Sequence, residues 1–107
     1  MLVDNAGPCG GAPLQGPEMV PAKNSLGTPG IGRAQELPGG MPVAQALFDQ
    51  YAQYGTDITP EGFGGQRFLL PDGSIVQIRY VSGQLDPAVE FNGSVTGSWK
   101  IHFGFGP

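Results

Sequence analysis

Six polar side chains in the C-terminal part of the chain could do chemistry together: Arg67, Gln77, Arg79, Glu90, Lys100 and His102. They include the only histidine and every lysine and arginine beyond position 40. A carboxylate, an imidazole and two or three cations are the parts required for metal-free cleavage of RNA. Glu90 would accept the proton of a ribose 2′-hydroxyl, Arg79 and Lys100 would stabilise the charge developing on the phosphate, and His102 would protonate the leaving 5′-oxygen. The product would be a 2′,3′-cyclic phosphate, with Arg67 and Gln77 helping to hold the substrate.

Other chemistries are poorly provided for. Ser74, Ser82, Ser94 and Ser98 are available as nucleophiles, but a single histidine would have to serve them and none sits in a nucleophile elbow. One histidine and one cysteine do not make a convincing zinc site, so no metal and no cofactor are expected. The lone Cys9 permits no intramolecular disulfide and reads as an incidental thiol. Gly62-Phe63-Gly64-Gly65 lacks the strand-glycine-helix setting of a phosphate loop and reads as a hinge.

Whether the six side chains meet depends on the elements that carry them. Pro42, Val43, Ala44, Leu47, Phe48, Tyr51 and Tyr54 recur at helical spacing, with Pro in the first turn and Gly55 as C-cap, which predicts one helix over about 42–54. Beyond Thr59-Pro60-Glu61-Gly62 the period changes to two, and four strands are expected, over about 66–70, 74–81, 88–92 and 97–103. Phe68 and Leu70, then Val76, Ile78 and Tyr80, then Val89 and Phe91, then Trp99, Ile101 and Phe103 turn inward in this reading. A three-residue loop at Pro71-Asp72-Gly73 sets Phe68 opposite Val76 and Arg67 opposite Gln77. Asn92-Gly93 invites a two-residue turn, but that turn would place Glu90 on the face of Trp99. Keeping five large apolar side chains on one face is worth about 1.5–3 kcal/mol each, so a loop of three or five residues within 92–96 is expected. With these registers all six polar residues share the outer face.

The fold class that follows is α+β, one N-terminal helix packed on a four-stranded antiparallel sheet, preceded by a disordered leader. Residues 1–40 hold nine glycines, six prolines and no aromatic residue, too little apolar surface to offset the entropy of ordering them. The expected division is a flexible leader at 1–40 and a small packed domain at 41–107. The formal charge is −4, concentrated in the leader and helix, which is not the basic footprint of a typical nucleic-acid binder. No run is long enough for a membrane helix, and the N-terminus lacks the pattern of a signal peptide, so export would be driven from outside this sequence.

A succession of short motifs adds to this reading: Leu37-Pro38-Gly39-Gly40, Ala46-Leu47-Phe48, Gly64-Gly65, Pro71-Asp72-Gly73, Ile78-Arg79-Tyr80-Val81-Ser82-Gly83, Asp86-Pro87-Ala88-Val89-Glu90 and Lys100-Ile101-His102-Phe103. Together they resemble the C-terminal toxin domains of bacterial polymorphic toxins, the tips of contact-dependent inhibition and Rhs-type proteins. Val3-Asp4-Asn5 is similar to the boundary motif that precedes such tips. The resemblance implies a toxin secreted within a larger exported protein and delivered to the cytoplasm of a target cell, monomeric when free, with RNA as substrate, tRNA among the candidates, and a cognate immunity protein as partner. It also implies a fold similar to the barnase, EndoU, colicin and RelE superfamily, whose Glu, Arg and His set maps onto Glu90, Arg79 and His102.

The competing reading is a non-enzymatic binding module of a secreted or phage-associated protein, using the sheet face or edge for recognition. The outer face of any solvated sheet is polar, and Arg79, Glu90 and Lys100 could be cross-strand ion pairs worth under about 1 kcal/mol each. A toxin of different chemistry on the same small sheet is a third possibility. Convergence of Arg79, Glu90, Lys100 and His102 separates the first reading from the second.

Overall fold

The computed structural model describes residues 18–30, 32, 34–82 and 86–104. Two strands come first, β1 (Thr28–Pro29) and β2 (Gln35–Pro38), followed by one helix, α1 (Gly40–Ala52). Five strands complete the order: β3 (Thr56–Asp57), β4 (Gly65–Leu69), β5 (Ile75–Arg79), β6 (Ala88–Gly93) and β7 (Gly97–Gly104).

Helix α1 starts where Gly39 adopts φ 115°, a left-handed conformation in which a side chain would also strike Val43. Pro42 sits in the first turn, where its missing N–H costs nothing. Ala44, Phe48 and Ala52, spaced by four, are buried, and α1 lies across β5, β6 and β7. The helix ends two residues before the expected limit, so Tyr54 falls outside it and is exposed.

The four expected strands are β4 to β7, an antiparallel meander in the expected register. Phe68 pairs with Val76 and Arg67 with Gln77, and the Leu70 N–H donates to the Ser74 carbonyl at 2.8 Å. The β6–β7 connection is the three-residue loop 94–96, so Phe91 lies opposite Trp99 and Glu90 opposite Lys100. Val76, Ile78, Val89, Phe91, Trp99, Ile101 and Phe103 are buried under the helix. Tyr80 departs from the pattern, lying beyond the end of β5 and exposed.

A four-stranded antiparallel sheet is nevertheless not the fold. The seven described strands form one mixed sheet in the order β1-β2-β7-β6-β5-β4-β3. Strand β2 runs parallel to β7, pairing Gln35 with Ile101, Glu36 with His102, Leu37 with Phe103 and Pro38 with Gly104. The edge that a meander alone would leave open at β7 is therefore covered.

The expected boundary at residue 40 is corrected with it. Residues 1–17 lie outside the described residues, Cys9 and Val3-Asp4-Asn5 among them. Residues 18–40 contribute two strands and bury Val20, and Met19, Leu26 and Leu37 pack on the core. A strap at 18–21 crosses the ends of two hairpins. The Glu18 carboxylate accepts from the Val95 and Thr96 N–H groups and the Thr96 hydroxyl, while the Met19 N–H donates to Asp72 Oδ2 at 2.7 Å. The Trp99 indole N–H closes the strap on the Pro21 carbonyl at 3.3 Å. Among the described residues no helix is long and apolar enough to cross a membrane.

Candidate functional site

Cross-strand partners share a face of a sheet, so the registers place the six polar residues directly. Arg67, Gln77, Glu90 and Lys100 form one row across β4, β5, β6 and β7, about 14 Å long at the usual strand spacing. The next row runs Gly65, Arg79, Ala88, His102 and on to Glu36 of β2. All six lie on the face opposite α1.

Arg79, Glu90 and Lys100 line one hollow of about 190 Å³ together with Ser82 and Ala88. A second hollow of about 260 Å³ adjoins it, lined by Arg67, Gln77, Arg79, Glu90 and Asn92. The Gln77 amide donates to Glu90 Oε1 at 2.9 Å, which fixes the carboxylate and leaves Oε2 for another partner. Cross-strand ion pairs do not consume these charges: among the described residues Arg67, Arg79 and Lys100 have no carboxylate within ion-pairing distance.

Arg79 is held by Phe63, the aromatic residue within the Gly62-Phe63-Gly64-Gly65 turn. Its guanidinium lies 4.8 Å from the centroid of the Phe63 ring, a cation–π contact that orients the group without neutralising it. Gly65 permits this approach, since a Cβ there would overlap the Ile78 carbonyl. The Tyr80 N–H also donates to the Gly64 carbonyl at 3.0 Å, tying the turn to the end of β5.

His102 sits differently from the expectation of an outward, accessible acid. It is only 4% exposed and does not line the hollow. Its Nδ1 lies 2.9 Å from Asp86 Oδ1 and 3.2 Å from Ser82 Oγ, and the Ser82 hydroxyl donates to the same Asp86 oxygen at 2.9 Å. The Asp86 carboxylate requires a proton on Nδ1, so Nδ1 is a donor here. A serine-histidine-aspartate relay needs the acid and the hydroxyl on opposite ring nitrogens, and this arrangement puts both on one. The cluster instead ties Ser82 and Asp86, on either side of the β5–β6 connection, to β7.

Asp86 and Phe63 are thus side chains that spacing alone did not single out, and Ser82, a candidate nucleophile by type, serves here as a hydrogen-bond donor to Asp86. Asp86-Pro87 reads as a turn and Phe63 as an aromatic among glycines, and only the tertiary pairing brings each beside a charged group. Among the described residues no three of His, Cys, Asp and Glu come together as a metal site. No family model, curated protein or solved structure matches the chain.

Proposed function

We propose that this chain is an endoribonuclease that works by transphosphorylation without a metal, with Glu90, Arg79 and Lys100 as its reacting groups. The observation that carries the reading is that these three side chains line one hollow on an open sheet face, with both cations unpaired among the described residues. Glu90 takes the 2′-hydroxyl proton, the O2′–P bond forms, and Arg79 and Lys100 neutralise the extra charge on the phosphorane. As the P–O5′ bond breaks, the Lys100 ammonium supplies the proton to O5′, and solvent returns Glu90 and Lys100 to their starting states.

His102 is a positioning residue in this scheme, because its burial keeps it from the leaving oxygen while its bond to Asp86 fixes the rim that carries Ser82. A chain of this kind would act as a toxin delivered to another bacterial cell and be held in check by an immunity protein. The second reading, a binding module without turnover, is favoured by one observation: the only imidazole is buried and engaged.

The test is incubation of the full chain with total RNA in excess chelator, reading cleavage on a gel and the product ends chemically. Wild type is expected to leave 2′,3′-cyclic phosphates, and Glu90→Gln, folded by circular dichroism, to leave RNA intact. His102→Asn, whose amide can still donate to Asp86, is expected to retain cleavage; complete loss in that variant would return His102 to the role of acid. Intact RNA with folded wild type overturns the enzyme reading, and binding without cleavage puts the module in its place.

A further inference from the structure

A third and larger hollow, about 850 Å³, opens beside Glu90 and Lys100, between β7 and the segment that holds Lys23, Asn24, Pro29 and Gln35. Lys23, Asn24, Glu90, Ser98, Trp99 and Lys100 are among its lining residues. Glu90 lines all three hollows, Arg79 is common to the two smaller ones, and Lys100 is common to the 190 Å³ and 850 Å³ hollows. The three depressions therefore meet at Glu90. Arg67, Arg79, Lys100 and Lys23 each line at least one of them, and none has an ion-pair partner among the described residues.

A succession of unpaired cations suits a ligand with a charge at every repeat, which is a polynucleotide backbone and not a single phosphate. The 850 Å³ hollow has the size of a small-molecule site. Its Asn24 amide makes no hydrogen bond among the described residues and offers both a donor and an acceptor. A splayed base of a single strand can present its edge there, whereas the bases of a duplex are stacked and paired away from such a depression.

Building on the ribonuclease reading, we infer that the substrate is single-stranded RNA laid along these three hollows, with Lys23 holding a phosphate away from the reacting one and Asn24 meeting an unstacked base. Lys23 and Asn24 are then specificity residues remote from the bond that breaks, and a substrate too short to reach them gains nothing from them.

The test uses the full chain with Glu90→Gln to prevent turnover and a labelled single-stranded RNA oligonucleotide read by fluorescence anisotropy across a salt series. Four phosphate contacts predict a log–log salt slope near −3, at about 0.7 per contact for single strands. Lys23→Ala is expected to weaken binding several-fold and to lower the slope by about 0.7, while Asn24→Ala weakens binding with the slope unchanged. In the otherwise wild-type chain, Lys23→Ala should slow cleavage of the oligonucleotide and leave a dinucleotide unaffected. Binding with these slopes but no cleavage by wild type would keep the track and defeat the enzyme reading. Cleavage with a salt slope untouched by Lys23→Ala would keep the enzyme and overturn the track, as would tighter binding of duplex RNA of the same sequence.

Discussion

Substituting Val20 by alanine tests whether the strap ahead of the sheet is part of the fold's stability. Val20 is 6% exposed and belongs to the same buried cluster as Phe91, Trp99 and Ile101. The substitution removes two methyl groups, about 1.6 kcal/mol of transfer free energy, and the space they leave brings the expected loss to about 2 kcal/mol. In a domain of this size that corresponds to a fall of roughly 8–16 °C in Tm. The control is Val95→Ala, the same chemical change at a position 80% exposed, which should stay within about 0.5 kcal/mol. Urea unfolding followed by circular dichroism measures both. The chain's single tryptophan adds a local probe, because the Trp99 indole donates to the Pro21 carbonyl, so release of the strap alone would shift its emission before the sheet unfolds. Equal midpoints for Val20→Ala and wild type would refute the reasoning and return residues 18–21 to the status of a detached leader.

Two further outcomes follow from how carboxylates are used. The Val95 N–H and the Thr96 hydroxyl hold the Glu18 carboxyl below its usual value of 4.5. Its folded pKa is thus the lower one, so its contribution is fully present above the unfolded value and is lost as pH falls through the folded value. Glu18→Gln should lower the urea midpoint at neutral pH and lose less than wild type on acidification below that range; parallel pH profiles would sink the idea. Asp86→Ala removes the carboxylate acceptor of the buried His102 Nδ1 and should cost about 1–3 kcal/mol in urea unfolding, unchanged stability showing that Ser82 alone satisfies the ring.

The part of the fold legible in the sequence is the part where apolar residues carry the pattern. Trp99, Ile101 and Phe103 alternate without interruption, and the cost of turning them to solvent decides the loop at 94–96 even against Asn92-Gly93. Strand β2 offers no such signal. Gln35-Glu36-Leu37-Pro38 has one large apolar residue, and its pairing is set by the open edge of β7, a partner more than sixty residues away in sequence. Strands β1 and β3 are two residues each, below the length at which alternation exists. At the site, the face of each polar residue was readable from period and register, but depth was not. His102 faces the same side as Lys100, yet β2 runs beside it and Ser82 and Asp86 hold its Nδ1, and neither neighbour is written in the residues next to it in sequence.

Net charge misleads for a related reason. The chain carries nine carboxylate side chains against five lysines and arginines, which at face value argues against a polyanionic partner. Four of those carboxylates are committed to local structure: Glu18 to the 94–96 loop, Asp57 to Thr59, Asp72 to Ser74 and the strap, and Asp86 to His102. They serve the ends of hairpins and turns, and the row across the centre of the open face contains only Glu90 beside Arg67 and Lys100, while the next row has Arg79 on β5 and Glu36 at its far end on β2. At physiological salt, screening acts over about 8 Å, so a phosphate seated beside Arg79 and Lys100 responds chiefly to the charges lining its own hollow. What decides the sign of the field there is the alternation along β5, β6 and β7 that sends Arg79, Glu90 and Lys100 to one face, not the total over the chain.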